Sequence, residues 1–191
     1  MDAPKITVKK VQSFRGRKGI GASADVYLDG VHVGYFLDEA NGGEFDFTRV
    51  VHMDDKKKDA LVKSLIKQLE DYAASLHPVD INADKKFGNK PLMIQPTAVS
   101  MMDDVINAEL QKKEDAKFAK RMEKQSMKGI LYGTKNKYSV WAWKIPLTQL
   151  IQTQAGRAVL QTRVNRVQLE LKKGESILNA EYLKSLGITI P

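Results

Sequence analysis

Apolar and polar positions alternate through the first fifty residues and then recur with the helical period of about 3.6. Lys5 to Val11 (KITVKKV) alternates weakly and predicts a first strand. Asp29-Gly30 separates ADVYL from VHVGYF, the mark of a two-residue type I′ hairpin, whose turn needs two positive φ angles. That turn sets Leu28 opposite Val31, Val26 opposite Val33 and Ala24 opposite Tyr35, all on one side of the ribbon. Asp25, Tyr27 and His32 then share a more polar side. Asn41-Gly42-Gly43 predicts a further turn, and Glu44 to Val51 the next strand.

Beyond residue 54 the pattern becomes helical. Asp54 or Asp55 caps a helix running to about Leu76, with an apolar stripe at Val62, Leu65, Ile66, Leu69, Ala73 and Leu76. His77-Pro78 ends it. Pro78, Pro91 and Pro96 bracket a polar stretch, NADKKFGNK, that reads as a loop or linker. Thr97 caps a long helix reaching about Lys128. Its first half has a stripe at Val99, Met102, Ile106 and Leu110, while its second half offers only Phe118, Ala119 and Met122. A helix with so little apolar surface bridges solvent or is held by a partner. Ile130 to Tyr132 and Tyr138 to Lys144 predict a second hairpin around Gly133-Thr-Lys-Asn136. Pro146 suits the first turn of a further helix that Gly156 kinks or ends, and Leu160, Val164, Val167 and Leu171 carry the period on to Gly174. Asn179 caps a last short helix closed by Gly187. The predicted class is α+β: an antiparallel sheet with a packed helix (1–78), a linker or loop (79–96), and a mainly helical half with a short hairpin (97–191).

Gly16 to Gly21 within RGRKGIGAS has the opening spacing of a phosphate-binding loop. Such a loop needs Lys then Ser or Thr after its second glycine, follows a strand and opens a helix. Here Ala22-Ser23 follow and a strand comes next, so a basic inter-strand connection is expected instead. There is no cysteine, which removes disulfides, thiolate metal sites and a cysteine nucleophile, and fits a cytoplasmic home. The N-terminus lacks the apolar core of a secretory signal, and no apolar run approaches the ~20 residues of a membrane span.

Charge changes the picture most. Of the net +8, residues 110–144 hold ten basic and three acidic side chains. A segment of this kind favours nucleic acid or an acidic protein groove. Its candidate binding residues are Lys112, Lys113, Lys117, Lys120, Arg121, Lys124, Lys128, Lys135, Lys137 and Lys144. Trp141 and Trp143 fall on one strand face and stack bases if exposed, or fill the core if buried. Arg163 and Arg166 suit bidentate phosphate or carboxylate contacts, with pairing to Glu170 as the plainer role. No reaction is signalled. His32, His52 and His77 lack metal-site spacing, and Asp54-Asp55 and Asp103-Asp104 fit helix starts. Asp84-Lys85-Lys86 has an acid-x-lysine spacing without an acidic partner in a preceding strand, and no GxSxG elbow occurs. No cofactor or metal is expected.

DVYLDGVHVG (Asp25 to Gly34), Asn41-Gly42-Gly43 and GESILNAEYLKSLGI (Gly174 to Ile188) resemble stretches of small bacteriophage-encoded accessory proteins. The resemblance implies a host-takeover or counter-defence effector in the host cytoplasm, acting by binding rather than catalysis. It implies a partner among host nucleic-acid-handling or antiviral defence complexes. The hairpin, strand and Lys56-Lys57-Lys58 helix start is also similar to the later part of a double-stranded-RNA-binding domain, although the leading helix is absent. The expected function is therefore a non-enzymatic, phage-type inhibitor working through its basic surface. Direct DNA or RNA binding is the alternative, and a nuclease or hydrolase without a recognisable motif the third.

Overall fold

The structure is a computed structural model that describes residues 3–42, 45–80, 91–135 and 137–191. The Asp84-Lys85-Lys86 spacing, the NADKKFGNK stretch, and Gly43, Glu44 and Asn136 of the expected turns and strand lie outside the described residues. The chain forms two compact units, residues 1–113 and 114–191, and is mixed α+β as its periodicities predict.

In the first unit an antiparallel sheet runs in the order β1 (Ile6–Arg15), β2 (Ile20–Leu28), β3 (Val31–Asp38), β4 (Asp46–Arg49). RGRKGIGAS is the connection between β1 and β2. Gly16 N–H donates to the Gly19 carbonyl at 2.9 Å and β2 begins at the next residue, so no helix follows to cradle a phosphate. Gly21 is needed for a close approach, since a Cβ there would collide with the Asp38 carbonyl and the Phe14 ring. Asp29 (φ 47°) and Gly30 (φ 82°) supply the two positive angles of a type I′ turn.

Leu28 faces Val31 as expected, but the register then shifts. Tyr27 pairs with His32 and Val26 with Gly34, so the expected Val26–Val33 and Ala24–Tyr35 pairs are replaced by Val26–Gly34 and Ala24–Phe36. The cause is a β-bulge at Val33, which gives β3 one residue more than its partner. It admits both Val33 and Phe36 to the core and sends Tyr35 to the outer face, where it is 52% exposed. β1 continues past the expected Val11, through an irregularity between Lys9 and Gln12.

α1 (Lys56–Ser75) starts where Asp55 accepts a hydrogen bond from Lys58 N–H at 3.0 Å. Its stripe of Val62, Leu65, Leu69 and Ala73 is buried. Gln95 closes its far end by donating to the carbonyls of Ala73 and Leu76. Two short strands, β5 (Val79–Asp80) and β6 (Met93–Ile94), pair with each other. α2 (Ala98–Ser126) begins with a reciprocal cap between Thr97 and Ser100. Met102 and Ile106 join Val26, Leu28, Val33, Phe36, Val62 and Leu69 in the first core. Full burial of one such side chain stabilises by roughly 1.5–3 kcal/mol, which ties the first half of α2 to this unit.

The second unit contains the rest of α2 and a small sheet of order β8 (Tyr138–Ala142), β7 (Gly129–Gly133), β9 (Ser176–Ile177). α3 (Leu147–Leu150), α4 (Gln154–Glu170) and α5 (Ala180–Ser185) enclose a core of Ile130, Leu147, Leu160, Val164, Val167, Ile177 and Leu183. Two expectations change here. Gly156 neither kinks nor ends a helix. It lies in the first turn of α4 because a Cβ there would overlap the Leu150 carbonyl at the end of α3. Asn179 occupies the cap position of α5, but its side chain caps nothing. It accepts from Leu131 N–H at 3.0 Å and donates to the Gly129 carbonyl at 2.8 Å, pinning β7 from the inside. Among the described residues no helix is long and apolar enough to cross a membrane.

Candidate functional site

Within the second unit, β8 lies at the edge of its sheet, so alternate side chains serve two different neighbours. Tyr138, Val140 and Ala142 point toward the second half of α2. The Tyr138 hydroxyl donates to Gln125 Oε1 at 2.7 Å, and its ring meets Phe118 edge-on with centroids 5.4 Å apart. Trp141 points the other way, and the Arg163 guanidinium of α4 lies over its ring at 3.4 Å. A contact of this kind is worth about 0.5–2 kcal/mol, the more so as solvent is excluded. Arg163 Nη1 is buried and has no hydrogen-bond partner, so the ring is its principal compensation. Trp143 follows the strand and packs against the core. The aromatic rings around β8 are thus engaged within the unit: Trp141 keeps 38% exposure but one face is occupied.

The cations have no such internal role. A hollow of about 400 Å³ is lined by Arg121, Gln125, Lys137, Tyr138 and Val140. A second, of about 330 Å³, adds Lys124, Lys128 and Ala142 to Arg121, Gln125 and Val140. Their shared residues make them one groove between α2 and β8, with an apolar floor of Val140 and Ala142 and a rim of Arg121, Lys124, Lys128 and Lys137. All four rim cations are exposed, and none forms an ion pair among the described residues. Arg121 acts at longer range on Glu114, and the three lysines have no carboxylate in contact among the described residues. Such a cationic rim around a shallow apolar floor favours an anionic chain and lets the aliphatic stems of the lysines cover its apolar parts.

The remaining candidates are distributed differently. Lys112 pairs with Glu109 at 3.6 Å, and Lys113 donates to the Val11 carbonyl at 2.7 Å. Both belong to the first unit. Lys117 pairs with Glu114 at 2.7 Å and holds that carboxyl below its ordinary range, chiefly through the hydrogen bond. Lys120, Lys135 and Lys144 are exposed. Arg166 pairs with Glu170 at 2.9 Å, yet shares with Arg163 a separate hollow of about 310 Å³ beside Val159 and Thr162. Sequence periodicity alone missed Gln125, Val140 and Ala142. Val140 and Ala142 were on the correct face of the predicted strand, but nothing local marks the helix opposite them.

In the first unit the outer sheet face carries Tyr27, His32 and Tyr35 in ring contact, at 4.9 and 5.1 Å, with the Lys9 ammonium 4.4 Å above Tyr27. Among the described residues the buried Nε2 atoms of His32 and His52 have no hydrogen-bond partner, and no cluster of three or more His, Asp or Glu could hold a metal ion. Comparison with known proteins finds no matching family model, no similar curated protein and no similar solved structure.

Proposed function

We propose that the protein acts by binding rather than by catalysis, and that its second unit receives an acidic segment of a partner complex in the groove between α2 and β8. The observation that carries this reading is the contrast within one site. Arg121, Lys124, Lys128 and Lys137 form no direct ion pair among the described residues, and Arg121 is near enough to a carboxylate, Glu114, to act on it, while Tyr138 and one face of Trp141 are occupied by Phe118, Gln125 and Arg163. Charge is available to a partner, and of the rings beside it only part of Trp141 is still open. The resemblance of the sequence to bacteriophage accessory proteins makes the partner a host nucleic-acid-handling or antiviral defence complex, which binding would block. The host cytoplasm is the corresponding location.

Direct DNA or RNA binding is the second reading, favoured by the hollow that Arg163 and Arg166 share, since guanidinium pairs suit phosphate. One experiment separates the two. The full chain is titrated with labelled poly-glutamate, and with single- and double-stranded DNA and RNA, across a salt series. The expected result is salt-sensitive binding to the acidic polypeptide that Lys124→Glu with Lys128→Glu reduces at least about tenfold, because two attractive charges become repulsive. Tighter binding to nucleic acid, lost on Arg163→Ala with Arg166→Ala, would replace the first reading by the second. Metal-dependent cleavage of any of these nucleic acids would point instead to a nuclease.

A further inference from the structure

We infer that the acidic segment binds as an added β-strand along the open edge of β8. The inference rests on the reading of the groove as an acidic-segment site and specifies the partner's conformation: an extended peptide with acidic residues at alternate positions. It follows from the phase of the hydrogen bonds. Thr134 and Lys137 exchange both backbone bonds, at 2.9 and 3.2 Å, and Trp143 N–H donates to the Lys128 carbonyl at 2.8 Å. In an antiparallel ladder the inward-bonded positions alternate. Residues 137, 139, 141 and 143 are therefore turned toward β7. The N–H and C=O groups of Tyr138, Val140 and Ala142 are turned away from it, and among the described residues β8 has no strand on that side.

A second strand matches this edge in both senses, offering donors and acceptors at the two-residue repeat, as in other cases of strand addition. A phosphodiester backbone offers acceptors alone and leaves the outward carbonyls unmatched. Side chains of the added strand would alternate as those of β8 do. One set meets the Val140–Ala142 floor and the cationic rim from α2, and the other lies on the Trp141 side. The first set is acidic and the second apolar. Lysines beside a strand edge are also the common defence against unwanted pairing. That defence repels cationic strands and discourages neutral ones, but it admits an acidic strand, so the same residues that guard the edge select its occupant.

The test uses the full chain and a fluorescein-labelled peptide of about six Glu-Val repeats, read by anisotropy. Val140→Pro removes an outward N–H without removing any bond to β7, and an edge strand tolerates proline. The expected result is that the wild type binds, that Val140→Pro weakens binding about tenfold by leaving a peptide carbonyl unmatched, and that Lys124→Glu with Lys128→Glu also weakens it. A peptide N-methylated at every second residue gives an independent measure should Val140→Pro perturb folding. It too should lose about tenfold. Unchanged binding of the methylated peptide, with binding still lost on charge reversal, would overturn strand addition and leave the acidic-segment reading standing. No binding of either Glu-Val peptide or poly-glutamate at low salt would overturn both. Competition by single-stranded oligothymidylate that displaces the peptide completely at equal concentration would assign the groove to nucleic acid.

Discussion

Residues 1–113 carry 17 basic and 17 acidic side chains, whereas residues 114–191 carry 14 basic and 6 acidic, so the whole net charge of +8 belongs to the second unit. Each unit combines an antiparallel sheet with helices and a buried apolar core. Their charges differ in employment. In the first, Lys10 pairs with Asp25, Arg49 and Lys63 share Asp59, and Lys67 pairs with Asp71. In the second, Lys117, Arg166 and Lys184 have carboxylate partners, and the groove cations form no direct ion pair among the described residues. A balanced surface contributes modestly to holding one fold together. An unbalanced one repels itself and is retained where something outside the fold gains from it. The comparison therefore narrows the proposed interaction surface to the second unit, which total charge alone does not.

The contrast extends to how the sheets are held. The first sheet has four strands and broad apolar contact with α1 and α2, whereas the second is small, with Ile130 and Ile177 in its core and one buried amide fixing β7. Asn179→Ala is the change expected to have the largest effect. It leaves the Leu131 N–H and the Gly129 carbonyl without their partner in buried surroundings, and each such loss costs about 1–3 kcal/mol. Amide hydrogen exchange should show lost protection through β7 and β8, with β2 and β3 unchanged. Equal loss in both sheets would mean that the units unfold as one, and the comparison would lose its force.

The expected boundary at 79–96 differs from the observed division after Lys113, because the first half of α2 buries its stripe in the first core. That stripe, at Val99, Met102, Ile106 and Leu110, is legible along α2 and fades where the basic residues begin, and the boundary between the units falls just after it, at Lys113. The α1 stripe and the Asp29-Gly30 turn are equally legible, because period and turn chemistry are local properties. What is not legible depends on distant partners. The bulge at Val33 arises in pairing with β2, Gly34 admits Phe47 and the Thr48 carbonyl of β4, and the Asn179 side chain reaches β7 across 48 residues of chain. Arg163 was visible as a cation and Trp141 as a ring, but only tertiary structure joins them and so withdraws the tryptophan face from a stacking role.

Asp59 sharpens the electrostatic side of the comparison at acid pH. Hydrogen bonds from Arg49 and Lys63, with a smaller contribution from His52 N–H, hold its carboxyl down to about 2 from an ordinary 3.8. A depressed carboxyl stabilises the fold fully above its unfolded value and ceases to do so as pH falls through its folded value. The first unit should therefore lose stability between about pH 4 and pH 2, and Asp59→Asn should flatten that slope. Thermal melts of both proteins over this range check it. A wild-type slope that Asp59→Asn leaves intact would assign acid sensitivity to other groups.

The smallest expected effect concerns Lys10, where pairing and backbone conformation can be separated. Its ammonium is 2.9 Å from the Asp25 carboxylate, but its φ of 50° is one that only glycine adopts without cost. Lys10→Ala removes the ion pair and keeps the strained backbone. Lys10→Gly removes the ion pair and relieves the strain. Both leave Asp25, which is buried, without its partner, so that loss cancels between them. Lys10→Gly should then be the more stable of the two by about 1 kcal/mol in urea unfolding. If the two variants unfold together, the irregularity in β1 carries no strain, and the lysine is there only for its charge. If glycine is favoured, the first unit accepts a strained residue to place a cation against the buried Asp25, which is how a neutral unit keeps its charges paired.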